Sequence, residues 1–460
     1  MVSGWCVNLL LRFLPAEGNR PVAVHVAADV RLMGFTLLVS IGAALLFGLA
    51  PALRATSPEL AGALKNDGSA TRSRRFGLKS ALAMVQVALS LLLLVGAGLF
   101  LRSLRNATAI AIGLKTENVV LATMNPRLSG YTPEQTAAFY SLLETELRGK
   151  AGVRAVGFSE APWLSGAFNQ VGMQVPGRPD PPGGRSILVA GVGGDFFDAV
   201  GIRILRGRGF GLQDTAGSVK VAVISQLAVR YFFGEQEPVG KTVRMGGQLV
   251  EIIGVAADSK YRSVREDMPR VGYLSQAQSP AAERTVYVRT AGNPVPMMAA
   301  VRSTVRGLDR SLPVYDVKTF AEQKSESLVR ERLIATLTGF FGALAVLLAA
   351  MGLYGVMSYG VGQRTREIGI RMSLGADRGT VVRMVLRDCF AMVAAGIAIG
   401  LPLSAWLSRL VESELFGVRP NDPATVAGAT LLLAGMGVLA GYVPARRASR
   451  VDPMRALRYE

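Results

Sequence analysis

Five long runs of the sequence contain no charged side chain, and they restrict the fold more than any other feature. Each run is 20 to 31 residues long, and a helix that crosses a bilayer needs about 20 apolar residues. A buried core helix in a soluble protein can explain one such run but not five, so the sequence predicts a membrane protein with several helical spans. The runs are Leu32–Leu53, Ser80–Leu101, Leu333–Gln363, Cys389–Ser408 and Pro423–Ala445.

Basic residues are concentrated on one side of these spans. Segments 54–79, 364–388 and 446–460 alternate with the spans on that side and hold 17 Lys and Arg in 66 residues. On the other side, segment 106–330 holds 26 in 225 residues. Short segments rich in Lys and Arg stay in the cytoplasm. The sequence therefore predicts a cytoplasmic C-terminus and an extracytoplasmic location for 106–330.

The composition excludes several classes of function. The formal net charge of +18 suits nucleic acid or a membrane surface, but the charges lie at membrane edges without interleaved aromatic residues, so nucleic-acid binding is not expected. His25 is the single histidine, and Cys6 and Cys389 are the two cysteines, which argues against a His-rich or thiolate metal site and against a histidine-assisted nucleophile. Because the five runs contain no Asp, Glu, Lys, Arg or His, proton-driven secondary transport is also disfavoured.

The extracytoplasmic segment is predicted to be mixed α/β. Two β-α-β units are expected, because strand-like, helix-like and strand-like patterns follow one another twice. They flank a middle rich in short strands and turns, and a polar helix over 319–332 is expected to run straight into the next span. The first unit covers 117–125, 132–150 and 152–160, and the second covers 284–290, 294–309 and 312–318.

The fold class predicted is therefore a polytopic α-helical membrane protein with a large extracytoplasmic mixed α/β domain, in which two β-α-β units flank a strand-rich insertion. The predicted boundaries are an N-terminal remnant outside the membrane (1–31), a span (32–53), a cytoplasmic linker (54–79), a span (80–105), the outer domain (106–330), a span (331–363), a cytoplasmic loop (364–388), a span (389–411), a short outer loop (412–422), a span (423–445) and a cytoplasmic tail (446–460).

Two stretches suggest an internal repeat. Gly48, Pro51 and Arg54 in 48–65 match Gly441, Pro444 and Arg447 in 441–458, and with short shifts the match continues. Small residues, proline and arginine often mark the end of a span, but the number of matches favours duplication. The chain is then predicted to hold the end of one half-unit followed by a complete second half.

One stretch resembles a nucleotide-binding loop but does not fit it. The sequence GEQEPVGKT, at 234–242, has five residues between its glycines instead of four, and it follows a helical pattern instead of a strand. Nucleotide binding is therefore not expected there. Two Gly-xxx-Gly pairs, Gly396 with Gly400 and Gly437 with Gly441, are either close helix contacts or ordinary membrane glycines.

The loop between the third and fourth spans, QRTREIGIRMSLGADRGTVVRMVLRD, combines charged and apolar residues. Arg364, Glu367 and Arg371 have the spacing of one helical face, and Ile368 and Met372 form a neighbouring apolar stripe. Orientation in the membrane explains the arginines, including Arg378, Arg383 and Arg387 near the lipid headgroups, but it does not explain Glu367 and the apolar residues. A docking element for a cytoplasmic partner explains both and is favoured.

Three segments give the chain a family resemblance. QRTREIGIRMSLGA resembles the signature of the FtsX/MacB-type ABC transporter permeases. GDFFDAVGIRILRGRGF with VAVISQLAVRYFFGEQEPVGKTV resembles their extracytoplasmic core domain, and PARRASRVDPMRAL resembles their C-terminal end. The layout is similar to the C-terminal part of a large duplicated orphan permease.

The resemblance implies a permease subunit of a transporter or mechanotransmission complex in the inner membrane. A separate cytoplasmic ATPase would supply ATP hydrolysis, since the sequence has no Walker motif, and no cofactor is expected in this chain. The residues expected to contact the ATPase are Arg364, Arg366, Glu367, Ile368, Arg371 and Met372. A second permease copy or half-unit and a partner protein outside the membrane are further expected partners. The alternative is a membrane-anchored signalling or scaffold protein whose outer domain binds a partner without transport.

Overall fold

The computed structural model describes residues 31, 33–38, 40–42, 44, 78–278 and 281–450. Most of the predicted span 32–53 and the two stretches of the suggested repeat, 48–65 and the end of 441–458, lie outside the described residues. The described elements are α1 (Leu78–Ala109), β1 (Val119–Met124), α2 (Pro133–Arg148), β2 (Val153–Ser159), β3 (Asn169–Gln174), β4 (Ser186–Gly194), α3 (Phe196–Val200), β5 (Ile204–Gly207), β6 (Val221–Ser225), α4 (Gln226–Phe232), β7 (Thr242–Met245), β8 (Gln248–Ala256), β9 (Val271–Ser275), β10 (Arg284–Thr290), α5 (Val295–Leu308), β11 (Tyr315–Thr319), α6 (Phe320–Glu326), α7 (Val329–Gln363), α8 (Thr365–Ser373), α9 (Arg378–Leu410) and α10 (Pro423–Ala448).

Four of these helices, α1, α7, α9 and α10, are long and apolar enough to cross a membrane. Together with the α/β domain between α1 and α7, they confirm the predicted fold class. The described residues divide into an α/β unit, within 97–339 and 410–422, and a helical unit, formed by the described residues of 31–44 together with 78–96, 340–409 and 423–450.

The two predicted β-α-β units share one antiparallel sheet. Its strand order is β11-β1-β10-β2, the split β-α-β arrangement of ferredoxin-like folds. Alternate residues of β1 enter two different cores: Val119 and Leu121 pack in one, and Val120 and Ala122 pack in the other with side chains of α2 and α5. Burial on both faces explains why this strand is apolar without alternation.

Helix α2 begins where the sequence predicts it. The Thr132 hydroxyl accepts a hydrogen bond from the Gln135 amide, and the Gln135 side chain accepts one from the Thr132 amide at 2.9 Å. This capping box satisfies two amides at the helix start. Pro133 occupies the first turn, where its missing N–H costs nothing.

The strand-rich insertion closes on itself. Strands β4, β3, β7, β8, β6 and β9 pair in that order, and β9 returns to pair with β4 in parallel. The core of this six-stranded ring includes Met173, Ile224, Val243 and Ile252, together with Phe232 of α4. Closure leaves no unpaired edge between these strands, and the ring joins the first sheet through the β2–β4 pairing.

The predicted continuous helix from 319 into the third span is wrong. Helix α6 ends at Glu326 and α7 begins at Val329. Leu328 lies between them and is buried in the same core as Phe320. Its amide bonds to the Ser325 carbonyl at 3.1 Å, a three-residue turn that tightens the chain here. Burial of Leu328 in the α/β core therefore interrupts the helix.

Within the helical unit, both Gly-xxx-Gly pairs are close contacts. A side-chain carbon added at Gly396 would lie 2.7 Å from Val87 of α1, and one at Gly437 would lie 2.7 Å from Val393 of α9. Added carbons at Gly400 and Gly441 would meet Ala88 and Cys389 at about the same separation, 3.0 and 2.9 Å. The glycines therefore bring α1 to α9 and α9 to α10, as small residues do in membrane helix packing.

Candidate coupling site

The loop predicted to dock a partner forms a short helix that is separated from both neighbouring spans. Helix α7 ends at Gln363, and Arg364 leaves helical geometry with φ −101° and ψ 11° before α8 begins. At the other end, Gly375 has φ +96°, a conformation that favours glycine. The amides of Gly375 and Ala376 bond to the carbonyls of Met372 and Arg371 at 3.1 and 3.0 Å, which completes a Schellman cap.

The start of α9 is also fixed by a local cap. The Asp377 carboxylate accepts a hydrogen bond from the Thr380 amide at 2.9 Å and another from the Thr380 hydroxyl. These hydrogen bonds lower the pKa of Asp377 from its ordinary value. Asp377 is therefore a charged N-terminal cap of the α9 helix, where a negative charge is stabilising.

Helix α8 is held on the helical unit by Ile368. This side chain is 1% exposed and packs in a cluster with Leu353 and Met357 of α7 and with Val381 and Val385 of α9. Met372 is partly buried against the same cluster. The two residues that we expected to anchor a partner therefore contact the chain's own helices, and Ile368 has no surface left for another protein.

Three charged residues of the predicted site, Arg364, Glu367 and Arg371, lie at the surface. Glu367 and Arg371 form an ion pair at 2.7 Å with both side chains about half exposed, as their spacing predicts. Arg364 pairs with Asp388 of α9 at 2.9 Å, so it ties the loop to the next span instead of joining the helical face. Arg366 belongs to α8 by its backbone.

Two apolar residues on the exposed side of α8 were missed in the sequence. Ile370 and Leu374 are exposed, Leu374 to 81%. At about 100° per residue, Glu367, Ile370, Arg371 and Leu374 lie on one side of the helix and Ile368 on another. We call these four residues the coupling face. The stripe 370/374 has the same i, i+4 spacing as 368/372, so spacing alone cannot tell which stripe faces the bundle.

A second cluster lies in the α/β unit, where the start of α7 and the α9–α10 loop approach the segment 257–270. Arg265 forms an ion pair with Glu331 at 3.0 Å and donates a hydrogen bond to the Glu414 carbonyl at 3.0 Å. Arg330 pairs with the Glu414 carboxylate at 2.8 Å. The Glu331 side chain is only 10% exposed, and its second oxygen has no partner among the described residues. We call Arg265, Arg330, Glu331 and Glu414 the junction cluster.

Neighbouring contacts strengthen this junction. Lys260 is buried, donates to the Val264 and Glu266 carbonyls at 2.7 Å, and lies 5.3 Å from the centre of the Phe416 ring. Desolvation lowers the pKa of Lys260. The Phe416 amide bonds to the Ser103 hydroxyl of α1 at 2.9 Å. The segment 257–270 therefore contacts the start of α7 and the α9–α10 loop, and that loop in turn contacts α1.

The near-match to a phosphate loop has a structural role. The Gly240 amide bonds to the Ile252 carbonyl at 2.8 Å, and the Lys241 amide bonds to the Pro238 carbonyl at 3.1 Å. These two amides are thus already bonded, one to strand β8 and one within the turn, and neither is available to a phosphate. Among the residues that the structure describes, no group of three or more His, Cys, Asp or Glu side chains could hold a metal ion.

Comparison with known families matches both parts of the chain. The family model for the FtsX-like permease C-terminal domain matches residues 339–453, which contain α8 and its flanking spans. The family model for the MacB-like periplasmic core domain matches residues 80–306. The chain belongs to the FtsX/MacB-type permeases. This result confirms the resemblance predicted from the sequence and makes the chain a multi-pass membrane permease.

Curated relatives of this permease are macrolide export ATP-binding/permease proteins. MacB 2 of Aeromonas hydrophila is 31% identical over 288 residues, which cover 59% of this chain and 43% of the relative. MacB of Burkholderia pseudomallei is 32% identical over 286 residues, with 59% and 43% covered. The permease therefore spans less than half the length of these relatives.

Two solved structures are similar to part of the permease. The periplasmic region of MacB from Actinobacillus actinomycetemcomitans aligns with a TM-score of 0.33 and 16% identity over 46% of this chain and 93% of that chain. The extracellular domain of the transporter YknZ from Gram-positive bacteria aligns with a TM-score of 0.30 and 18% identity over 44% and 100%.

Proposed function

We propose that this permease is the membrane subunit of an ABC-type transporter or mechanotransmission complex, driven by a separate cytoplasmic ATPase. In this proposal the ATPase pushes on α8, and the movement reaches the α/β unit, which acts on a substrate or a partner protein outside the membrane. The observation that carries it is the coupling face, an exposed mixed surface on a helix that is firmly packed on the span bundle.

The composition of the coupling face fits a protein partner. Its exposed apolar residues, Ile370 and Leu374, are bordered by the Glu367–Arg371 ion pair, and protein interfaces combine an apolar centre with a polar rim. A charge that serves only to orient the chain in the membrane needs no exposed leucine beside it. Because Ile368 is buried in the bundle, a force applied to α8 would be passed to α7 and α9.

Helix α7 is the proposed transmission element. It is continuous from Val329 to Gln363, which corresponds to a length of about 50 Å. Its first residues include Arg330 and Glu331 of the junction cluster, and its last residue precedes α8. In this proposal, a displacement of α8 would be transmitted through α7 and would change the contact between Glu331 and Arg265.

ATP enters the proposed mechanism through the partner. The sequence holds no Walker motif, and the Gly240 and Lys241 amides of its nearest match are bonded to backbone carbonyls. A second permease copy or half-unit would complete the complex, because ABC ATPases dimerise on ATP and each copy needs a coupling face. The alternative, a membrane-anchored scaffold without an ATPase, is separated by the experiment that follows.

The proposal predicts that an ATPase subunit co-purifies with this permease. Tagged permease extracted in mild detergent should retain a protein with Walker A and B motifs, identified by mass spectrometry, and ATP hydrolysis by the pair should exceed that of the ATPase alone. An extract of cells that express an unrelated tagged multi-pass protein is the control. Recovery of the permease with only extracytoplasmic partners, and no ATPase above the control, would favour the scaffold alternative.

The proposal also predicts that α8 and the α/β unit lie on opposite sides of the membrane. In a background without Cys6 and Cys389, a single cysteine at Ser165 should react with an impermeant thiol reagent on intact cells with a permeable outer envelope. A cysteine at Ser373 should react only after the membrane is opened. Both positions are exposed, so access to the reagent reports location and not burial. Labelling of the Ser373 position alone on intact cells would reverse the orientation.

A further inference from the structure

A groove lies between α9 and α10 in the helical unit. Its volume is about 520 Å³, and its lining includes Arg383, Arg387, Phe390 and Val393 of α9 and Ala434 and Val438 of α10. Apart from the two arginines, these side chains are apolar. The groove is therefore charged at one end and apolar along the rest.

The order of these residues along α9 matches the polarity of a membrane. Arg383 and Arg387 are separated by one helical turn and precede Cys389, the first residue of the uncharged run. Phe390 and Val393 follow Arg387 by three and six residues, about 4.5 and 9 Å further along the axis. The charged end of the groove is thus at the edge of the span, and its apolar part is at hydrocarbon depth.

The two arginines also lack the partners that neighbouring arginines have. Within the described ranges, Arg364 and Arg371 form ion pairs, whereas Arg383 and Arg387 form neither an ion pair nor a side-chain hydrogen bond. Asp377 lies close enough to Arg383 for that positive charge to help lower its pKa, but its carboxylate accepts hydrogen bonds from Thr380 and does not pair with Arg383. Two guanidinium groups are thus available on one side of a helix, and this fork geometry suits phosphate oxygens.

Small residues of α10 keep the groove open. Gly437 packs so closely on Val393 that an added side-chain carbon would lie 2.7 Å from it. This contact fixes the two helices side by side. One turn away, Ala434 contributes only a methyl group to the lining, so the space beside Phe390 stays unfilled.

We infer that this groove is a binding site for one anionic glycerophospholipid. The phosphate would bind Arg383 and Arg387, and an acyl chain would lie along Phe390, Val393 and Val438. A free phosphate would satisfy the arginines but leave the apolar part of the groove empty, whereas a phospholipid satisfies both. Basic pockets between membrane helices at the headgroup level bind anionic lipids in this manner. The inference does not depend on the proposed coupling to an ATPase.

The test uses the full chain, stripped of loosely held lipid in detergent and analysed by native mass spectrometry. With phosphatidylglycerol added, the wild type should retain one lipid per chain, and phosphatidylcholine with the same acyl chains should be retained at least about tenfold less. Glycerol phosphate, which has the same phosphate without the acyl chains, should not bind. Equal retention of the two lipids, or binding of glycerol phosphate alone, would overturn the inference.

Two variants, Arg387→Gln and Ala434→Phe, locate the site. Arg387→Gln should lower phosphatidylglycerol retention about tenfold, whereas Arg378→Gln, which removes the same charge from the same helix outside the groove, should leave it unchanged.

Ala434→Phe should fill the groove and lower retention while both arginines remain. If Ala434→Phe does not elute as a folded protein in size-exclusion chromatography, Val438→Phe is used as the groove-filling variant instead. Equal losses for Arg387→Gln and Arg378→Gln, or full retention after the groove is filled, would show general attraction to headgroups and overturn the site. A change of oligomeric state in the groove-filling variant, without lipid bound to the wild type, would instead assign the groove to a second copy of the chain.

Discussion

Glu367→Lys combined with Leu374→Asp is expected to abolish recovery of the ATPase while the permease remains inserted and folded. Loss of the Glu367–Arg371 pair costs α8 about 0.2–0.5 kcal/mol, which is too little to unfold the bundle. Truncating or inverting an interface anchor often costs more than about 2 kcal/mol, roughly thirtyfold in affinity. The measurement is the amount of ATPase recovered per permease from detergent extracts.

A matched control separates loss of docking from a general effect of the new charge. Leu212→Asp makes the same change at a leucine that is 99% exposed in the α/β unit, and it should leave ATPase recovery unchanged. Ile368→Ala should behave differently again. It should lower the thermal stability of the permease, because a buried aliphatic side chain is removed from the cluster that holds α8. If the double variant recovers as much ATPase as the wild type, the coupling face has been assigned wrongly.

Arg265→Ala is expected to loosen the contact between segment 257–270 and the start of α7 inside the α/β unit. It leaves Glu331, which is 10% exposed, without its cation, and an uncompensated buried charge costs up to about 3–5 kcal/mol. Because Arg265 is itself partly exposed, an effect on the order of 2 kcal/mol is expected. In hydrogen–deuterium exchange this corresponds to roughly thirtyfold faster opening of 257–270, 329–339 and 410–417.

The exposed pair Arg185–Asp180 provides the comparison for that prediction. Both of its side chains are more than 40% exposed, so Arg185→Ala should leave the exchange of these segments almost unchanged. The double variant Arg265→Ala, Glu331→Gln should recover much of the protection that Arg265→Ala loses, since no buried charge is then left unpaired. Equal exchange in Arg265→Ala and Arg185→Ala would remove the junction cluster from the proposed transmission path.

Local features of this chain were predictable from its sequence. The four described spans follow from the length of their uncharged runs, and the start of α2 follows from Thr132, Pro133 and Gln135. Both β-α-β units follow from periodicity, because each needs only neighbouring residues to define it. Strand β4, with the sequence SILVAGVGG, was not predicted individually, and it has no alternation of polar and apolar residues because it is buried between neighbouring strands.

Features that depend on distant contacts were not predictable. Glu331 lies 66 residues after Arg265 in the sequence, and Glu414 lies 149 residues after it. No local pattern therefore connects the three residues. The break before α7 depends on Leu328 entering the α/β core. The side of α8 that faces the bundle depends on Val381 and Val385 of the following helix. In each of these three cases the local sequence allows more than one arrangement, and tertiary packing determines which one forms.

The pairing of β1 with β10 also sets the order in which this chain can fold during synthesis. Val119 pairs with Arg289, so β1 has no strand partner until the ribosome has added about 170 further residues, roughly 10–30 s of translation. The strands of the closed ring lie between these two and are all made earlier. All strands of the ring are therefore synthesised while β1 is still unpaired. Strands β10 and β11 emerge last and complete the first sheet after the insertion has been made.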